Sequence, residues 1–174
     1  RKAGEDTRFA QKNNFAWFLM AWTIQGLWVV LTSAPVIASM TSPSLSTFHP
    51  LITVGGVFWV IGMSVEVVAD RQKTRFRSDP NNKDKFISSG LWGIVQHPNY
   101  AGEILLWSGL AVMAIPQLSG LQYGTLISPI FVFVLLRFIS GVPLLAEKSK
   151  KRWGELPEFQ EYVRKTPLLL PRFW

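Results

Sequence analysis

Residues 15–39, FAWFLMAWTIQGLWVVLTSAPVIAS, run for about seven helical turns without one charged side chain. At a rise of about 1.5 Å per residue, such a run covers the roughly 30 Å hydrocarbon core of a bilayer. A soluble helix of this length would set an apolar stripe against a charged face, and this one does not. The block reads as a membrane span, and it sets the frame in which the rest of the chain is understood.

Three further apolar blocks follow. Residues 51–69 are interrupted only by Glu66, and 101–116 carry Glu103 and are short for a perpendicular crossing. Residues 121–145 are interrupted only by Arg137, with Pro129 and Pro143 expected to kink them. Gly55, Gly56 and Gly62 suit either close helix approach or the ordinary tolerance of glycine in membrane helices. The Ser/Thr/Pro-rich stretch 41–50 reads as a short external loop. Residues 70–100 read as an ordered polar loop, with turns at Asp79-Pro80-Asn81-Asn82 and Ser88-Ser89-Gly90. The tail after Glu147 reads as a surface helix ending before Pro167. The expected fold is an all-α integral membrane helical bundle of about four transmembrane helices, one domain over residues 1–174. Because the sequence opens on Arg1-Lys2-Ala3-Gly4, with neither methionine nor a secretory leader, further helices are expected upstream.

Composition and charge agree with a bilayer protein. Hydrophobic residues make up 48% and charged residues 17% of the chain. The absence of cysteine excludes disulfides, thiolate metal sites, thiol nucleophiles and an S-palmitoyl anchor within it. A net charge of +7 could suggest nucleic acid, but 17 of the 18 Lys and Arg lie in 1–14, 70–101 and 146–174. The intervening loops 40–50 and 117–121 carry none. Four spans then put all three charged segments on one side, as the positive-inside rule expects. Membrane lipids and a hydrophobic small molecule, not nucleic acid, are the expected partners. The membrane could be that of the endoplasmic reticulum, the mitochondrial inner membrane or a bacterial inner membrane.

Ionisable groups inside apolar blocks are the first functional candidates, since each costs about 2.5–3.5 kcal/mol on insertion and normally faces a bundle interior. These are Glu66, Asp70, Glu103 and Arg137. Glu66 and Asp70 are four apart on one helix face, and Arg137 is expected to pair with Glu66 or Glu103. The densest polar cluster, His97-Pro98-Asn99-Tyr100-Ala101-Gly102-Glu103, offers an imidazole, an amide, a phenol and a carboxylate to a polar cofactor head. A lone histidine next to proline in a loop is more often a structural hydrogen-bonding residue, and Tyr100 alone would pass for an interface anchor. If 99–103 opens a helix, Asn99 and Glu103 share a face beside its N-terminal amides and can read a carboxamide from two directions. No glycine-rich dinucleotide turn, phosphate loop or metal-ligand spacing is present.

Gly90-Leu91-Trp92, His97-Pro98-Asn99-Tyr100 and Gly102-Glu103 together resemble the signature of the steroid 5-alpha-reductase-like membrane family, related to isoprenylcysteine carboxyl methyltransferases. The likeness extends along the chain. It takes in Glu5-Asp6 with Arg8-Phe9, Gln25-Gly26-Leu27-Trp28, Glu66 with Ala69-Asp70 and Gln72-Lys73, Ser140 to Leu145, and Tyr162 with Thr166-Pro167. The resemblance implies a helical bundle binding NADPH from the cytosolic side, and reduction of a lipid or sterol-like double bond. It implies cofactor contacts for Asn99 and Glu103 at the nicotinamide end and for Asp70 and Arg77 elsewhere on the cofactor; the polar cluster and the ionisable groups in apolar blocks add His97, Tyr100 and Arg137 as cofactor-binding candidates and Glu66 and Tyr100 as catalytic candidates. Where family members carry an arginine just before the HPNY motif, this chain has Gln96. Two other readings stand beside the reductase: a non-catalytic, lipid-holding subunit of a larger membrane complex, and a methyltransferase using S-adenosylmethionine.

Overall fold

The computed structural model of the protein describes residues 14–41 and 49–171. The charged segment before Asn14, with its Glu5-Asp6 and Arg8-Phe9 pairs, lies outside the described residues, as do 42–48 and 172–174. Helices are the only regular elements among the described residues.

Helix α1, Phe15–Met40, begins where the Asn14 side chain accepts from the Trp17 amide at 3.2 Å, a side-chain cap. Helix α2, Pro50–Ser78, opens on a proline whose missing amide hydrogen costs nothing in the first turn. It does not end at Ala69. The stretch that the sequence assigns to a loop from Asp70 onward stays helical for about two and a half more turns, to Ser78. Arg71, Gln72 and Lys73 are good helix formers, and Arg75 and Arg77 favour the negative end of the helix dipole. Asp79-Pro80 then stops it, because the residue before a proline is pushed out of helical geometry.

After a 3-10 turn at Pro80–Asn82 the chain forms a single helical turn, α3, Leu91–Ile94, and then α4, Pro98–Ala114. At 17 residues α4 is about 25 Å long, and a 3-10 turn at Ile115–Gln117 adds about 6 Å, enough for a short span. The last apolar block is one helical stretch in pieces: a 3-10 segment Gly120–Ile127, α5 at Ser128–Val134, and a π segment Leu135–Ile139. Pro129 and Pro143 do not kink it; each sits in the first turn of a new helix, the second being α6, Val142–Trp153. A final helix, α7, covers Pro157–Lys165. Three stretches are long and apolar enough to cross a membrane: α1, α2 and Gly120–Trp153. With the shorter α4 they make a four-helix membrane bundle.

The most extensive helix pairing is α2 against α4, and glycine makes it possible. A Cβ on Gly55 would lie 2.5 Å from the Gly109 carbonyl, and one on Gly62 would lie 2.5 Å from the Leu106 amide. Gly102 and Gly109 meet α2 in the same way, so two glycines seven residues apart on each antiparallel helix bring backbone onto backbone. Gly56, by contrast, has no neighbour within 4 Å. Helix α1 packs on the other flank of the bundle, with Ser128 Oγ donating to the Thr32 carbonyl at 3.2 Å and the Trp28 and Phe131 rings 5.9 Å apart.

Candidate functional site

The α3–α4 junction is tied to both its neighbours by backbone-directed bonds. Trp92 Nε1 donates to the Ala69 carbonyl at 3.0 Å, and the Leu91 amide donates to Gln72 Oε1 at 3.0 Å. Gly90, at φ 62°, makes the turn, where a Cβ would strike the Gln72 side chain at 2.7 Å. On the other side the C-terminal segment is strapped down. The amides of Gln96 and His97 donate to the carbonyls of Pro167 (2.8 Å) and Leu168 (3.1 Å), and Tyr162 Oη donates to the Trp92 carbonyl at 2.7 Å. Gln96 adds its own side chain, donating to the carbonyls of Thr166 (2.6 Å) and Val163 (3.2 Å). Gln96 thus works as a clasp between the two segments.

Between the end of α2, the 79–97 segment, α6 and α7 lies a cavity of about 1110 Å³. Its wall carries six cations, Lys73, Arg77, Lys83, Lys85, Lys150 and Arg152, against a single carboxylate, Asp79. One side is an aromatic cluster in which Phe86 contacts Trp153, Phe159 and Tyr162 with ring centroids 5.1–6.1 Å apart. Lys73 Nζ stands 4.8 Å over the Trp92 ring. Arg152 bonds to the Lys83 carbonyl and pairs with Asp84, while Trp153 Nε1 donates to the Asp84 carbonyl at 2.7 Å, closing that wall. Burial pushes the Tyr162 phenol up to about 12, so it stays a donor.

The residues singled out from the sequence fall in four places. Arg77 and His97 line this cavity. Glu66 and Asp70 do not; they line a separate groove of about 560 Å³ along one side of α2, with Arg71, Thr74 and Arg75. Asn99, Tyr100 and Glu103 lie in the first turns of α4, with Tyr100 stacked on His97 at 5.4 Å between ring centroids. A Cβ on Gly141 would stand 3.0 Å from Tyr100 Cε2, so the break after the π segment closes over this ring. Arg137 lies in that π segment, with its guanidinium 5.0 Å from the Phe138 ring centroid.

The expected ion pair of Arg137 with Glu66 or Glu103 does not form: the salt bridges among the described residues join Lys151 to Glu147, Arg152 to Asp84 and Lys165 to Glu161. The π widening rotates residue 137 relative to a straight helix, which a depth argument from sequence cannot foresee. Burial, and then the positive charges of Lys73 and Arg137, lower the His97 pKa to about 4, so the ring is neutral near pH 7.

Two buried side-chain atoms lack a hydrogen-bond partner among the described residues: His97 Nδ1 and Asn99 Oδ1. A buried polar atom left unsatisfied costs about 1–3 kcal/mol, so these two, in residues two apart, call for a partner such as an ordered water or a polar group of a ligand. NADPH passes this test of fit. It is strongly anionic and carries two flat ring systems and a carboxamide. The cavity slightly exceeds the roughly 300–1,000 Å³ of ordinary ligand pockets. Lys85, Lys150, Arg152 and the aromatic wall were not singled out as site residues from sequence; their signal is the run of Trp153, Phe159 and Tyr162 among basic residues of the tail.

The chain matches the family model described as "Protein of unknown function (DUF1295)" over residues 1–166. It is 28% identical over 156 residues to the Ustilaginoidea virens protein named "Probable O-methyltransferase ustE", covering 78% of this chain and 53% of that one. It is 27% identical over 123 residues to the 3-oxo-5-alpha-steroid 4-dehydrogenase 1 of Rattus norvegicus, covering 71% of this chain and 42% of that one. It is 26% identical over 163 residues to the Delta(14)-sterol reductase of Arabidopsis thaliana, covering 87% of this chain and 38% of that one. The chain thus spans about half or less of the length of these curated relatives. No solved structure matches it. With a family match over residues 1–166 on a glycine-paired membrane bundle, the chain belongs to the DUF1295 family, a steroid 5-alpha-reductase-like family of membrane proteins.

Proposed function

We propose that this chain forms the cofactor-holding part of an NADPH-dependent membrane reductase that saturates a carbon–carbon double bond of a sterol-like lipid. The observation that carries the reading is the cationic, aromatic-walled cavity beside two unpartnered polar atoms, His97 Nδ1 and Asn99 Oδ1. Lys73, Arg77, Lys83 and Lys85 would hold the phosphates, and Phe86 and Trp153 would offer faces to an adenine ring. Asn99, with Glu103 four residues on, would read a carboxamide at the start of α4. NADPH supplies a hydride when bound. Tyr100, stacked on His97 at the start of α4, is the candidate donor of a proton to the neighbouring carbon, with Glu66, in the groove along α2, as the second candidate. The surrounding apolar helices exclude water from the reacting atoms.

Binding to the purified full chain in lipid-supplemented detergent tests the reading, with NADPH fluorescence as the signal. Arg77→Met and Asn99→Leu should each weaken NADPH about tenfold, the loss expected for one charge-assisted or buried hydrogen bond. No binding at millimolar NADPH would remove the reductase and leave the lipid-holding subunit as the better account. A methyltransferase reading draws support from the similarity to ustE. The surplus of cations opposes it, because S-adenosylmethionine is itself a sulfonium cation. Displacement of NADPH by S-adenosylmethionine at lower concentration, measured calorimetrically, would reverse that preference.

A further inference from the structure

We propose that the cavity takes up its anionic cofactor together with one proton, and that the proton lodges on His97. Resting on the cofactor reading above, this adds a dependence of affinity on pH. His97 stands where the cavity wall meets the start of α4. Its ring lines the cavity and stacks on Tyr100 at 5.4 Å between centroids, and its amide is tied to the Leu168 carbonyl at 3.1 Å. Backbone and ring are both held, so the protonation state is set by what surrounds them.

Helix α2 brings Lys73 to the ring, with its Nζ 4.8 Å over the neighbouring Trp92, and the π segment brings Arg137. Helix α4 brings the stacked Tyr100, while Glu103 lies six residues further on, about 9 Å along the axis. Helix α7 brings Tyr162 to the same cavity wall, with its hydroxyl spent on the Trp92 carbonyl. The strap at Pro167 and Leu168 brings backbone carbonyls and apolar side chains. The charges acting on the ring among the described residues are therefore both positive; Glu66 and Asp70 line a separate groove. Nδ1 also lacks a partner among the described residues, so none of them supplies an acceptor for a second N–H there. In the empty cavity burial and like charge together keep the proton off.

An anionic ligand inverts this field. The wall carries six cations against Asp79, and phosphates set among them would cancel the repulsion that Lys73 exerts on an imidazolium and add an attraction of their own. The ligand also deepens burial, which favours the neutral ring. Attraction wins because a ring already partly buried has little more desolvation to undergo, whereas the sign of the nearest charge changes outright. The Tyr100 face suits an imidazolium as well as a neutral ring. The free ring takes its proton at about pH 4 and the liganded ring at a higher pH, so between the two values binding draws in a proton. Affinity then rises as pH falls, by up to about tenfold per pH unit for one proton.

Calorimetric titration of the full chain in lipid-supplemented detergent tests this, with NADP+ as the probe because it survives acid where NADPH does not. Repeating the titration in two buffers of different ionisation enthalpy counts the protons taken up. At about pH 5.5 wild type should take up roughly 0.5–1 proton more than His97→Asn, and from about pH 7.5 to about 5.5 its affinity should gain about tenfold on that variant. The 2′-phosphate of the probe titrates near pH 6 in both proteins and cancels in the difference. Should His97→Asn fail to fold, histidine-labelled wild type gives the same answer by NMR, since the chain holds two histidines and His49→Asn assigns the other ring. Saturating NADP+ should move the His97 titration to higher pH. Equal proton counts in the two proteins, or a His97 signal that titrates at the same pH with and without NADP+, would overturn the proposal and leave the cofactor reading intact. No binding of NADP+ at any pH would overturn both.

Discussion

Held beside two cations and partly cut off from water, the His97 ring keeps its proton off down to about pH 4. An unfolded chain takes that proton near pH 6.5. Between these values the unfolded state binds more protons, so the stabilisation is full above about pH 6.5 and is lost as pH falls toward 4. The loss is at most of order 3 kcal/mol. Thermal melts of the detergent-solubilised protein should therefore fall over this window, and His97→Asn should flatten the fall. A wild-type melting temperature constant from pH 7 to pH 4 would contradict the burial of this ring. Nothing in the sequence separates a loop imidazole that binds a ligand from one that holds a turn, because the distinction lies in what surrounds Nδ1. The same holds for Arg137, whose pairing was expected from depth alone and whose guanidinium instead lies by Phe138. Asp70 and Arg77, seven residues apart on one helix, likewise open onto different spaces.

Helix α2 shows how far an element can be read from its own residues. Its apolar body is legible because a run of that length with one charge has few other uses, but the charged residues from Asp70 onward predict a loop where the helix continues to Ser78. Helix propensity continues through Arg71, Gln72 and Lys73 regardless of the membrane boundary, and the extra turns carry Lys73, Phe76 and Arg77 to the cavity. Which glycines matter was also hidden. Gly62→Leu would drive a side chain into the backbone of α4, for a cost of about 1–3 kcal/mol or more, while Gly56→Leu meets open space and should change little. Melting temperatures of the two variants, measured side by side, check this. A comparable loss in both would mean that α2 and α4 do not pack as described.

Across the whole molecule the end of α2, the 79–97 segment, α6 and α7 gather at one end of the bundle, where the cations crowd. We expect residues 70–97 and 146–171 to share one side of the membrane, together with 1–14. Single cysteines placed at Ser89, Ser149 and Asn13 should react with an impermeant maleimide from that side alone; labelling of any two from opposite sides would reject this arrangement. The sequence by itself determined that the chain is helical, crosses a membrane about four times and is steroid 5-alpha-reductase-like, because unbroken apolar length and an ordered set of motifs are local properties. The tertiary structure alone decided that Gln96 clasps the C-terminal segment, that the last span is assembled from 3-10, α and π pieces, and that tail aromatics wall a cavity with cations from α2. The clasp and the cavity depend on groups 70 to 80 residues apart coming together, Gln96 with Thr166 and Lys73 with Trp153 on one cavity wall, and no periodicity within a single helix records such a meeting.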